Sequence, residues 1–109
     1  MAVRRVGQVI RVRAESIEAY EVLHADPWPG VLAALRAANI HNYSIFRHGD
    51  LLFAYFEYTG DDLEADLARI AADPTTQAWW RLTDAMQVPF EERAPGSWWL
   101  DLPEVFHVD

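Results

Sequence analysis

The chain has 109 residues, no cysteine, and 17 acidic against 9 basic residues, for a formal charge of −8. That length suits one ordinary domain over residues 1–109, and the missing cysteines exclude a disulfide framework, a thiol nucleophile and a thiolate metal site. The acidic balance repels phosphate backbones and anionic membranes, so neither nucleic acid nor membrane is an expected partner and a neutral substrate is the natural one.

The amino terminus carries the basic pair Arg4-Arg5, but Gln8, Arg11 and Arg13 come too soon after it for an apolar stretch of signal-peptide length to form. No run approaches the roughly 20 apolar residues of a membrane span. A cytoplasmic location is expected, in keeping with a cysteine-free chain.

Residues 6–12 have the composition of a strand. Ser16 is placed to cap a helix over 16–25, with Ile17, Tyr20 and Leu23 after it. The two prolines and the glycine of the segment 26–30 break it. Val31, Leu32 and Leu35 resume helical spacing over 31–38, and Asn39 suits a left-handed stop. A hairpin comes next: residues 40–47 alternate as a strand, His48-Gly49 with Asp50 makes a tight turn, and 51–58 (LLFAYFEY) returns as a strand apolar enough for both faces to be covered. The segment 60–62 opens a helix with Leu63, Leu67 and Ile70 on one stripe; its acidic run reads as a solvated helix start. A second helix is expected over 75–86, an irregular loop over 88–96, and a final strand over 98–108 with Pro103 at an edge or bulge.

The order predicts an α+β, ferredoxin-like β-α-β-β-α-β sandwich. Helices on one face of such a sheet leave the other bare, and a second copy of the chain is its simplest cover, giving a homodimer.

Tyr20 and His24 stand four apart on the first helix, so one face presents a phenol and an imidazole that can donate and accept protons. The same spacing also suits a surface or core histidine. His24 falls in the last helical turn, where the helix dipole favours its protonated form. Strand alternation puts His41, Tyr43 and Ile45 on one face, either lining a polar pocket or burying the Tyr43 ring in the core. The adjacent Trp79 and Trp80 point about 100° apart on a helix, so one can pack while the other lines a cleft, or both can pack. Trp98-Trp99 fits packing or a dimer contact. No metal-ligating pair, HExxH, Gly-rich phosphate loop or GxSxG elbow occurs.

The pieces Tyr20-x-x-x-His24-x-x-x-Trp28-Pro29, HNYSIF from His41, LLFAYFEY, Gln77-Ala78-Trp79-Trp80 and the closing LPEVFHVD together resemble the L-rhamnose mutarotase family, in order, from about Val6 to Val108. The resemblance implies a dimeric ferredoxin-like α/β barrel that interconverts the anomers of a monosaccharide, L-rhamnose in the type case, without cofactor or metal. It implies His24 as proton donor, with Tyr20 and Tyr43 lining the sugar site and Trp79 and Trp80 as sugar contacts; Tyr20 or a bound water is expected to complete the proton relay. The chain departs from the family pattern at Gly30, where an acid is typical, and at Val22 and Leu23, where basic residues are common; sugar preference is left open by these changes. The other readings of such a chain are a cofactor-free monooxygenase-like barrel, a non-catalytic sugar-binding module and a purely structural dimer.

Overall fold

A computed structural model describes residues 3–109. The first strand, β1, spans Arg4–Val12, followed by a single 3-10 turn at Ala14–Ser16 and helix α1 at Ile17–Ala25. Helix α2 covers Pro29–Ala37 and begins on proline, whose missing N–H costs nothing at a first helical position. Strands β2 (Ile40–His48) and β3 (Leu51–Tyr58) form the hairpin, and helices α3 (Leu63–Ala72) and α4 (Pro74–Met86) come after it. Two short strands, β4 (Gln87–Val88) and β5 (Leu100–Leu102), complete the fold. Asp62 and Asp73 cap α3 and α4 by accepting from the N–H groups of Ala65 and Thr76. Ser16 caps nothing; the chain enters α1 through the 3-10 turn instead.

The antiparallel sheet runs β2-β3-β1, with β4 and β5 both lying along the free side of β1. The fourth strand of the ferredoxin-like order is therefore split. Gln87–Val88 pairs one end of β1, Leu100–Leu102 pairs its middle, and the loop 89–99 bulges out between them. The expected strand over 98–108 shrinks to three residues near its start. Trp98 and Trp99 precede it, and Pro103, which has no N–H to give a ladder, succeeds it.

The core lies between sheet and helices. Ile10, Val12, Tyr20 and Leu52 form one buried cluster; Ala38, Ile40, Phe56, Tyr58 and Ile70 form another. Burying a side chain such as Ile10 or Leu52 fully contributes about 1.5–3 kcal/mol. Part of the acidic run joins this interior: Asp66 is buried, accepting from the Tyr58 hydroxyl and the Asn39 amide and pairing with Arg69. Its carboxyl is held below the usual range chiefly by those hydrogen bonds. The expected solvated helix start thus holds only for its outer members.

On β3, Leu52, Ala54, Phe56 and Tyr58 are buried against the helices, whereas Phe53 on the opposite face is open. That face also carries Phe46 and Leu102, both exposed. Beyond it the ion pair Arg5–Glu104 ties down the base of the C-terminal segment, past which Val105, Phe106 and Val108 are 92%, 80% and 73% exposed. Among the described residues no helix is long and apolar enough to cross a membrane.

Candidate functional site

Helix α1 presents Tyr20 and His24 on the same side, as their spacing dictates, and their rings stack with centroids 4.0 Å apart and planes inclined by 23°. Trp79 on α4 meets the imidazole edge-on at 5.1 Å, and Trp28 packs edge-on against Trp79 at 5.2 Å. The prolines on either side of Trp28 produce this contact: they end α1, forbid helix through the turn, and swing Trp28 to the start of α2.

The His24 tautomer is fixed by its surroundings. Nδ1 lies 2.8 Å from the Tyr20 carbonyl oxygen, which can only accept, so Nδ1 carries the proton and Nε2 keeps its lone pair. Burial lowers the imidazole pKa, and the bond to the carbonyl offsets this only in part. The expected preference for the protonated form at a helix C-terminus is thereby reversed. Desolvation among Tyr20, Trp79 and the sheet outweighs the dipole, and the resting group is a neutral imidazole with an available base at Nε2.

Tyr43 reaches the same region from the sheet, its ring stacked on Phe56 at 5.6 Å. Desolvation of its hydroxyl pushes the phenol up to about 12 although the residue as a whole is 38% exposed, and its charge would raise the Tyr20 pKa further, so the two hydroxyls lie near one another. The expected alternation fails just before it. Between His41 and Ser44 the register against β3 slips by one residue, at a bulge whose left-handed member is Asn42 (φ 49°). Ile40 and Tyr43 therefore face the helices together, while His41 pairs with Glu57 on the open face.

Trp79 is 6% exposed and Trp80 39%. Trp79 thus belongs to the Tyr20–His24–Trp28 cluster, and Trp80 points away from it. A cleft of about 280 Å³ opens beside the cluster, lined by Tyr20, Glu21, His24, Ile45, Arg47 and Leu52 among others. It is slightly smaller than the roughly 300–1,000 Å³ typical of small-molecule pockets, which suits a compact ligand. Glu21 and Arg47 form an ion pair on its wall at 3.3 Å. A larger concavity of about 460 Å³ lies along loop residues 91–98 and contains neither histidine nor tyrosine.

Sequence reasoning missed Gln87, which is buried at the α4–β4 junction and donates from Nε2 to the Tyr20 hydroxyl at 3.2 Å. No motif announces it; its polarity at the end of an otherwise amphipathic helix was the available signal. Trp28, Glu21 and Arg47 were missed as well. Among the described residues, no group of three His, Cys, Asp or Glu side chains could hold a metal ion.

Comparisons with known proteins agree on one family. The sequence model of L-rhamnose mutarotase matches residues 5–108. An L-rhamnose mutarotase of Lactiplantibacillus plantarum is 34% identical over 107 residues, covering 96% of this chain and 98% of that protein. One of Opitutus terrae is 37% identical over 107 residues, with 96% and 98% covered. An L-fucose mutarotase of Xanthomonas campestris is 34% identical over 111 residues, with 97% and 89% covered. The crystal structure of an L-rhamnose mutarotase from Formosa agariphila superposes with a TM-score of 0.75 over 97% of this chain and 99% of that one, at 22% identity. A tetracenomycin F2 cyclase from Streptomyces glaucescens shares the fold at a TM-score of 0.58 and 18% identity, over 96% and 95% of the two chains.

Proposed function

This chain belongs to the L-rhamnose mutarotase family, and from that premise we propose that it interconverts the α and β anomers of L-rhamnose, or of a closely related pyranose, in the cleft between α1 and the sheet. The observation that carries the residue assignment is the tautomer of His24: Nδ1 is committed to the Tyr20 carbonyl, and Nε2 remains as base.

The chemistry needs one proton moved between two oxygens on the same carbon. Nε2 takes the proton of the anomeric hydroxyl, the C1–O1 bond becomes a carbonyl, and the C1–O5 bond breaks. The imidazolium then returns the proton to O5, leaving the open hydroxy-aldehyde. Rotation about C1–C2 and reversal of the same steps close the ring on the other face. Since O1 and O5 are geminal, one nitrogen serves as base and then as acid. A positioned group of this kind contributes about 10²–10⁴-fold. Tyr20, whose pKa burial raises well above that of a free phenol, stays neutral and donates a hydrogen bond to the oxygen that gains charge. Beyond the cleft's own lining, we propose that Tyr43 holds a sugar hydroxyl and that Trp79 backs the apolar wall from behind His24, with Trp80 outermost. No oxidant, reductant or cofactor enters this balance.

We place the enzyme in the cytoplasm, as a cysteine-free chain permits, and propose that it works as a homodimer joined through the open sheet face. Phe46, Phe53 and Leu102 and the apolar C-terminal segment support that reading.

The test is NMR saturation transfer between the anomeric signals of L-rhamnose, with L-fucose and D-glucose for comparison. Wild-type protein is expected to exchange rhamnose anomers far above the spontaneous rate, and His24→Ala to lose about 10²-fold or more of that rate while still binding sugar. Wild-type turnover in His24→Ala would sink the assignment.

A further inference from the structure

We infer that Gln87 and Trp98 are positioning residues that set the direction of the Tyr20 hydroxyl, so that its proton faces the cleft and its lone pair faces the core.

Trp98 sets the polarity of the chain of hydrogen bonds, because an indole N–H can only donate. Its Nε1 lies 2.9 Å from Gln87 Oε1, which fixes the amide: the oxygen faces the indole and Nε2 must face the other way. That other way is the Tyr20 hydroxyl, 3.2 Å from Nε2. An amide N–H donates, so the Tyr20 oxygen accepts. A phenol that accepts inside the protein must send its own hydrogen elsewhere. Among the described residues, Gln87 is the only hydrogen-bond partner of that hydroxyl, and Tyr20 lines the cleft. The reverse orientation would turn the amino group of the buried Gln87 toward the indole N–H, setting donor against donor.

Gln87 is itself well anchored. Its backbone N–H closes the end of α4 on Asp84, and its Cα pairs with Val12 in the sheet, so its side chain has little freedom to turn. The split of the fourth strand serves this arrangement: β4 places Gln87 beneath Tyr20, and the loop after it brings Trp98 back over it.

The inference rests on the mutarotase reading for its kinetic consequences. In that reaction the stacked pair then supplies one donor, the Tyr20 hydroxyl, and one acceptor, His24 Nε2, each oriented by a bond on its far side. A substrate oxygen gaining negative charge meets the donor; the anomeric hydroxyl meets the acceptor.

Two variants and one direct observation test this. Trp98→Phe removes the indole donor and frees the amide to turn over. The expected result is a fall in kcat of about 2–10-fold, the size of one ordinary hydrogen bond, with KM little changed. Gln87→Glu places a carboxylate that captures the Tyr20 proton. At pH 8 kcat should fall about 10²–10³-fold, as when one preorganised donor is removed. As pH drops and the introduced carboxyl takes up a proton, it can donate again, so the activity of this variant relative to wild type should climb. An introduced carboxylate near His24 favours the imidazolium and would make the ratio fall as pH drops, so a climb comes only from the regained donor, and a merely structural defect gives no climb. Wild-type kcat in Trp98→Phe, or a flat or falling ratio in a folded Gln87→Glu, overturns the inference.

Should Gln87→Glu fail to fold, Trp98→Phe and the wild-type NMR spectrum still decide. Nuclear Overhauser contacts from the Gln87 side-chain amide protons are expected to be stronger to the Tyr20 ring than to the Trp98 indole proton. The opposite pattern refutes the proposed orientation whatever the activity. If the wild type accelerates no sugar at all, the mutarotase reading fails while this spectral test of the hydroxyl's direction still stands.

Discussion

His24 binds its proton less readily in the folded protein than a free imidazole does, because burial disfavours the charged ring more than the Tyr20 carbonyl favours it. This fixes the sign of the pH dependence. The group is neutral above the ordinary histidine value of about 6.5, and its Nε2 base is lost only as pH falls through a lower value. We expect kcat/KM for rhamnose to be flat through neutrality and to drop only on acidification beyond the ordinary histidine range. Stability moves the same way. The unfolded chain takes up this proton first, so folding weakens from about pH 6.5 downward until the folded-state value is passed. A pH–rate profile that rises on acidification through 6.5 would contradict the assignment. At this scale the sequence was informative where geometry is local: Tyr20 and His24 are set by one helix period, and their stacking needs nothing else. It gave the wrong protonation state, because the helix dipole is local whereas the burial that outweighs it comes from Trp79 and the sheet, which arrive from far along the chain. It was silent on Gln87 for the same reason, since an amide gains meaning only from the Trp98 and Tyr20 atoms on either side of it.

Among the elements, the contact between α2 and α4 depends on Gly30. A Cβ there would fall 2.8 Å from the Thr75 side-chain methyl, closer than packing allows. Gly30→Ala is therefore expected to lose the helix-propensity gain that alanine normally brings and to destabilise the fold by about 1–3 kcal/mol through overpacking. Trimming the opposing methyl in Gly30→Ala/Thr75→Ser should recover most of that loss. A double-mutant cycle in thermal unfolding measures the coupling, and additive effects of the two changes would show that the helices do not meet as described. The hairpin and all four helices were legible in the sequence, since proline, glycine, Asn39 and hydrophobic spacing each mark a boundary locally. The bulge was not. Asn42 adopts a left-handed conformation inside a run that reads as a regular strand, and that one residue moves His41 to the opposite face from Tyr43. The two-piece fourth strand escaped prediction because a two-residue ladder such as β4 has no periodicity to detect.

For the whole molecule, the sheet order and the placement of the helices on one face agree with the sequence pattern, and the open face supports the proposed dimer. Each chain brings a formal charge of −8 to the association, so apolar contact must outweigh repulsion between like-charged partners. Light scattering is expected to give twice the chain mass at micromolar concentration, and added salt should tighten the pair by screening that repulsion. Phe53→Glu, in the middle of the open face, should yield a folded monomer; a monomeric wild type would remove the dimer. Such association presses on the sheet from the side away from the cleft, and the helix layer can answer by sliding as a body. The arrangement of Tyr20 and His24 on one helix makes the proposed catalytic pair indifferent to that slide. Donor and acceptor travel together, with the backbone carbonyl of one gripping the ring of the other, so their mutual spacing survives displacement. What changes is their approach to Tyr43 and to Gln87, both of which ride on the sheet. Mechanical disturbance of this protein should therefore register first in the sheet-borne contacts, in the hold on the sugar and the direction of the Tyr20 hydroxyl, and last in the spacing of Tyr20 and His24.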